Sequence, residues 1–162
     1  MEYLSLDPQR MREINQKVHN DPIEFARLIL GIELHEGQKT WVRNSVKRIN
    51  ILRPGNRWGK SLVAAVKHIW HGMCKPKLDG RVRSNLEWLR VEYNTLNFGP
   101  TYELGKGTLQ LAHDIVQGNL LLPNGQTNHS YLKDWAIVED RSDSQVLPYL
   151  QFKTGTKLLG RS

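Results

Sequence analysis

Ile49-Asn50-Ile51-Leu52-Arg53-Pro54-Gly55-Asn56-Arg57-Trp58-Gly59-Lys60-Ser61 decides how the rest of this chain is read. A short, β-branched apolar run, Ile49–Leu52, breaks at Pro54-Gly55. After a small loop come Gly59-Lys60-Ser61 and then Leu62-Val63-Ala64-Ala65-Val66, with Ile69, Trp70 and Met73 continuing at helical spacing. Strand, tight loop, Gly-Lys-Ser and amphipathic helix, in that order, is the context that a phosphate-binding loop requires.

The residue types fit that chemistry one by one. Pro54, Gly55, Asn56, Arg57, Trp58 and Gly59 would form the cradle, with Gly59 letting the backbone approach phosphate oxygens where a side chain would stand in the way. The start of the following helix adds partial positive charge. Lys60 would reach the outer phosphates, and the Ser61 hydroxyl would serve Mg²⁺ as a ligand. The spacing departs from G-x-x-x-x-G-K-[ST] at one point, where Pro54 stands in place of the first glycine and Gly55 follows one residue late. The plainer alternative is a glycine-containing turn before a helix that happens to carry Lys and Ser.

Working outward, 162 residues suffice for one domain with its own core. No apolar run reaches the roughly 20 residues of a membrane-spanning helix, so no membrane association is expected. A single cysteine, Cys74, excludes an internal disulfide framework and suits a reducing compartment. Lys and Arg number 23 against 16 Asp and Glu, a net charge of +7. That surplus suits a polyanionic partner such as nucleic acid, although many basic proteins are charged only for solubility.

Upstream of the loop, Met11, Ile14 and Val18 predict a short surface helix within an N-terminal helical extension, residues 1–20. Asp21-Pro22 reads as a helix cap followed by a first-turn proline, and Gly31 as the stop. A further helix is expected over Gln38–Arg48 with Trp41, Val42 and Val46 inward. Downstream, Trp88, Leu89, Val91 and Tyr93 could form an edge strand, Thr95–Gly99 a core strand, and Gly105–Gln117 a helix. Residues 118–134 are turn-rich, and Leu150–Lys153, Thr154-Gly155 and Lys157–Leu159 have the pattern of a β-hairpin. Strands alternating with helices around such a loop imply an α/β fold with a mostly parallel sheet flanked by helices in three layers.

Three stretches together resemble the ATPase domain of the large terminase subunit, the motor that packs DNA into the heads of tailed bacteriophages. Leu34-His35-Glu36-Gly37-Gln38-Lys39-Thr40-Trp41 is similar to that family's glutamine-bearing adenine motif. Arg53–Ser61 is close to its deviant Walker A loop, and Phe98-Gly99-Pro100-Thr101-Tyr102 resembles its Pro-Thr-Tyr strand end. Leu150–Thr156 with Gly160-Arg161-Ser162 resembles the hairpin that leads towards Walker B. The likeness runs over residues 21–162.

The resemblance implies a RecA-like P-loop NTPase that binds ATP and Mg²⁺, with Gln38 at the adenine edge, Lys60 on the phosphates, Ser61 on the metal and Arg57 stabilising charge during hydrolysis. It also implies translocation of double-stranded DNA, a ring on the portal protein, a small-subunit partner, and action at the procapsid in the host cytoplasm. Two departures accompany it. No Walker B strand follows Ser162, and no nuclease domain is present, so the chain reads as a single ATPase domain, 1–162, truncated before Walker B. A rival Walker B lies inside the chain, in Trp135-Ala136-Ile137-Val138-Glu139-Asp140, with its acids in inverted order.

Other candidates are weaker. His68, His71 and Cys74 on one helix invite a zinc reading, but their positions diverge around the helix and packing accounts for them better. Lys75, Lys77, Arg81, Arg83 and Arg90 could meet DNA phosphates or simply be solvated. Arg53 and Arg57 could equally steady the loop by hydrogen bonding. A helicase-type ATPase fragment, or a basic nucleic-acid-binding module with a non-functional loop, are the alternative functions.

Overall fold

Asp21 caps a helix: its carboxylate accepts from the Ile23 amide at 2.8 Å, with Pro22 in the first turn. The computed structural model describes residues 8–46, 50–53, 55, 57–74, 94–98, 102–135, 138–142, 149–152 and 156–161. Helix α1 spans Pro8–Asn20, α2 Pro22–Leu28, α3 Glu36–Asn44 and α4 Lys60–Cys74. Strand β1 (Asn94–Phe98) leads to α5 (Tyr102–Gln117) and the short α6 (Leu132–Trp135). Strands β2 (Val138–Ser142), β3 (Tyr149–Phe152) and β4 (Lys157–Arg161) complete the described chain.

The four strands form one sheet in the order β1-β4-β3-β2. β1 and β4 run parallel, with Leu96 opposite Leu159, whereas β4, β3 and β2 form an antiparallel series. The hairpin read from Leu150–Leu159 is therefore present as β3 and β4, with Leu150 opposite Leu158. The described sheet is mixed rather than mostly parallel. A short turn can join only antiparallel neighbours, and the chain returns from β3 to β4 within a few residues.

α4 and α5 pack against each other, and both pack on β1 and β4, so they share one face of the sheet. Period-two alternation does the rest: Leu150, Phe152 and Leu158 are buried beneath those helices, while Tyr149, Gln151, Lys157 and Leu159 alternate with them and are half-buried. α4 lies close to the hairpin at Gly72, where an added Cβ would sit 3.2 Å from Thr156 Cγ2 and 3.4 Å from the Phe152 ring. The core joins Val63, Val66 and Ile69 of α4 to Ala112, Ile115 and Val116 of α5 and to Phe25, Leu30, Ile32 and Leu34 from the α2 region.

Two sequence expectations are corrected. The strand expected over Ile49–Leu52 is absent at its described residues, Asn50–Leu52, which lie outside the sheet. An apolar run becomes a strand where it gains a ladder and a buried face. Ile51 instead leaves 69% of its surface exposed, and its carbonyl accepts from Trp41 Nε1 at 3.4 Å.

The second correction concerns α3, which ends at Asn44 rather than Arg48, leaving Val46 77% exposed instead of inward-facing. Ser45 ends the helix: its hydroxyl donates to the Val42 carbonyl at 2.8 Å, and its ψ of 55° leaves the helical region. The half-buried Lys67 ammonium then bonds both the Ser45 carbonyl, at 2.9 Å, and its hydroxyl, at 2.6 Å. It places a cation on the negative end of α3 and ties that end to α4.

The possible strand at Trp88–Tyr93, the basic stretch from Lys75 to Arg90 and the turn at Thr154-Gly155 lie outside the described residues. Among the described residues no helix is long and apolar enough to cross a membrane.

Candidate functional site

The phosphate-loop candidate sits where α4 begins. Gly59 lies in the left-handed region, φ 86°, and its carbonyl accepts the Val63 amide at 3.1 Å, the first bond of the helix. Arg57 is also left-handed, φ 61°, a conformation that side chains other than glycine adopt at a cost. Two left-handed residues flanking Trp58 curl the chain tightly into α4. Lys60 stands in the first turn and reaches back across this curl, where its ammonium donates to the Gly55 carbonyl at 3.0 Å.

The first turn of α4 contains no acidic residue. Its amides and the helix dipole present positive potential, and no carboxylate within that turn offsets it. Ser61 is exposed in the same turn, and Arg53 and Arg57 are exposed in the segment that precedes it. Pro54 and Asn56 lie outside the described residues.

Behind the loop stands α3. Its N-cap is His35, whose Nδ1 accepts from the Gln38 amide at 3.3 Å, while Gln38 Oε1 accepts from the His35 amide at 3.0 Å, a reciprocal capping box. Both side chains also reach the loop. Gln38 Nε2 donates to the Trp58 carbonyl at 3.0 Å, and His35 Nε2 meets the same oxygen at 3.2 Å. The His35 ring also stands edge-on to the Trp58 indole, centroids 5.1 Å apart at 88°. Gln38 is only 4% exposed. As it stands, its amide holds the loop, and contact with an adenine edge would require it to leave the Trp58 carbonyl. Read from the sequence, this helix starts at Gln38 and the cap is missed; Gln38 three residues after His35 is the spacing of a capping box.

The structure thus brings together Gln38, Gly55, Arg57, Trp58, Gly59, Lys60 and Ser61. It does not join Glu139 and Asp140 to them through the sheet. These residues lie in β2, at the opposite edge from β1, where the register shifts between Val138 and Asp140. α4 packs on β1 and β4.

His68, His71 and Cys74 belong to the buried side of α4. Burial pushes His71 down to about 4 and lowers His68, with the Lys67 ammonium adding to both, and burial pushes the Cys74 thiol up to about 12. Cys74 Sγ faces the Val18 carbonyl at 3.8 Å, and the Trp70 indole donates to that oxygen at 2.9 Å, so this end of α4 is the seat of α1. Among the described residues no group of three or more His, Cys, Asp or Glu side chains is placed to hold a metal ion.

No family model, curated protein or solved structure matches this chain. A curled loop with two left-handed positions, a lysine folded over it and a helix start with no acidic residue in its first turn come together at one place.

Proposed function

We infer that this chain is a P-loop ATPase domain that binds Mg-ATP, and that it serves as the motor domain of a terminase large subunit driving double-stranded DNA packaging. The observation that carries the reading is the Lys60 ammonium on the Gly55 carbonyl, arched over the loop that enters α4. A lysine so placed can exchange a neutral carbonyl for phosphate oxygens with little movement, trading a weak partner for a charged one.

The residues present fit the ligand. Lys60 and the Gly55–Gly59 backbone would hold phosphates, Ser61 would offer its hydroxyl to Mg²⁺, and exposed Arg57 would reach developing negative charge. Mg²⁺ would neutralise charge between the outer phosphates. The RecA-like fold, the portal and small-subunit partners, and the setting at a procapsid in the host cytoplasm follow from the terminase resemblance. They belong to the same proposal. The parallel pairing of β1 with β4, whose connection includes α5, is compatible with that fold.

Titration calorimetry with Mg-ATP tests the reading. Binding by the wild-type chain, weakened about 10- to 100-fold in Lys60→Ala as charge-assisted bonds are lost, is the expected result. Equal affinity in the two proteins would refute it. DNA binding with no measurable nucleotide binding would favour a basic nucleic-acid-binding module instead. Movement along single-stranded rather than duplex DNA would favour the helicase-type alternative.

A further inference from the structure

We propose that His35 is a positioning residue of the phosphate loop, setting the direction of the Gly59 amide through the Trp58 carbonyl. The proposal rests on the phosphate-loop reading above and adds a residue to it. Two side chains from one helix cap converge on a single oxygen of the loop, His35 Nε2 at 3.2 Å and Gln38 Nε2 at 3.0 Å. The Trp58–Gly59 peptide is trans, so a carbonyl pulled towards α3 turns the Gly59 N–H the opposite way. That N–H makes no backbone hydrogen bond among the described residues. It is a donor held in place from behind, next to the lysine that crosses the loop.

The His35 ring is suited to this by having two nitrogens with opposite duties. Nδ1 must accept, because the Gln38 amide donates to it, and Nε2 must then carry the proton, because a carbonyl oxygen faces it. The neutral Nε2–H tautomer satisfies both at once. Gly37 leaves room for the arrangement: an added Cβ would lie 3.1 Å from His35 Cε1 and 3.3 Å from Trp58 Nε1. Serine, the usual residue at the head of a capping box, would cap α3 equally well but is too short to touch the loop. Histidine at this position therefore does more than capping requires.

That difference supplies the test. His35→Ser keeps a cap for Gln38 and removes the second donor to Trp58, whereas His35→Ala removes both. Two readouts are taken, Mg-ATP affinity by calorimetry and backbone ¹⁵N order parameters over residues 57–60 in the nucleotide-free protein. We expect His35→Ser to unfold at the wild-type temperature, to lower the order parameter of the Gly59 amide, and to bind Mg-ATP about three- to tenfold more weakly, the worth of one neutral hydrogen bond. His35→Ala should show the same loop effects and also a lower unfolding temperature. Wild-type order parameters and affinity in His35→Ser would overturn the proposal while leaving the phosphate loop intact. If the wild-type chain binds no Mg-ATP, the phosphate-loop reading fails, and with it the proposed purpose of the bracket. The order parameters then decide separately whether His35 orders the loop at all.

Discussion

The Lys60 ammonium donates to the Gly55 carbonyl at 3.0 Å, five residues back along the chain, and so closes the loop on itself. The contact is exposed to solvent. An exposed hydrogen bond of this kind contributes little to stability, within about 0.5 kcal/mol. Lys60→Ala should therefore shift the thermal midpoint by no more than about 2 °C, a change readable by circular dichroism. A much larger fall would mean that Lys60 serves the core instead of a ligand.

Gly59 and Gly55 should respond very differently to alanine. At Gly59 the backbone is left-handed, and a Cβ would overlap the buried Gln38 amide nitrogen. At Gly55 nothing lies within 4 Å of an added Cβ. Gly59→Ala is expected to cost about 1–3 kcal/mol, from the left-handed penalty and the displaced Gln38 bond together. Gly55→Ala should stay within about 0.5 kcal/mol of wild type. Urea unfolding of the two variants checks this, and equal midpoints would contradict the loop geometry.

Asn128 fastens the segment after α5 to the core. Its buried amide donates to the Leu30 and Ile115 carbonyls, both at 2.9 Å, and its Oδ1 accepts the Leu120 amide at 2.9 Å. Asn128→Leu would remove the partner of the Leu30 carbonyl and the Leu120 amide, leave the Ile115 carbonyl with the Gly118 amide alone, and should destabilise the protein by about 2 kcal/mol or more. Asn128→Asp keeps the acceptor and loses both donors, so it too should be strongly destabilised. Chemical denaturation showing less than about 1 kcal/mol for both would rule out this role.

Stability should fall on acidification through the imidazoles of α4. Burial, with help from Lys67, holds His71 near 4 in the folded protein, against an ordinary value of 6.5. Between those values the unfolded chain binds more protons than the folded one, so stability decreases as pH drops from about 6.5 towards 4 and levels off below it. His68 shifts in the same direction. Urea midpoints at about pH 7.5 and pH 5 should differ in the wild type, and the difference should shrink in His71→Gln. An identical pH dependence in the two proteins would show that His71 is not the group responsible.

Much of the local architecture could be read from the sequence because its causes are local. Asp21-Pro22 opens α2, Gly31 ends the turn after it at φ 64°, and the apolar spacing of Val63, Val66, Ile69 and Trp70 makes α4. The alternation through Leu150, Phe152 and Leu158 makes a hairpin. The loop sequence marked the candidate site because Gly-Lys-Ser between an apolar run and an apolar helix matches the order that a phosphate-binding loop requires.

Tertiary contacts decided the rest. Ile51 had the composition of a strand, but among the described residues it joins no strand ladder, and its carbonyl accepts from Trp41. The end of α3 was set by Ser45 and by Lys67, which lies 22 positions further along the chain. Gln38, expected at an adenine edge, donates to the Trp58 carbonyl, an oxygen that His35 also meets. A residue's own type fixes its dihedral preferences and its period, so elements can be foreseen from the chain. Which donor meets which acceptor depends on groups brought together only by folding, and that is where the shape of this loop was settled.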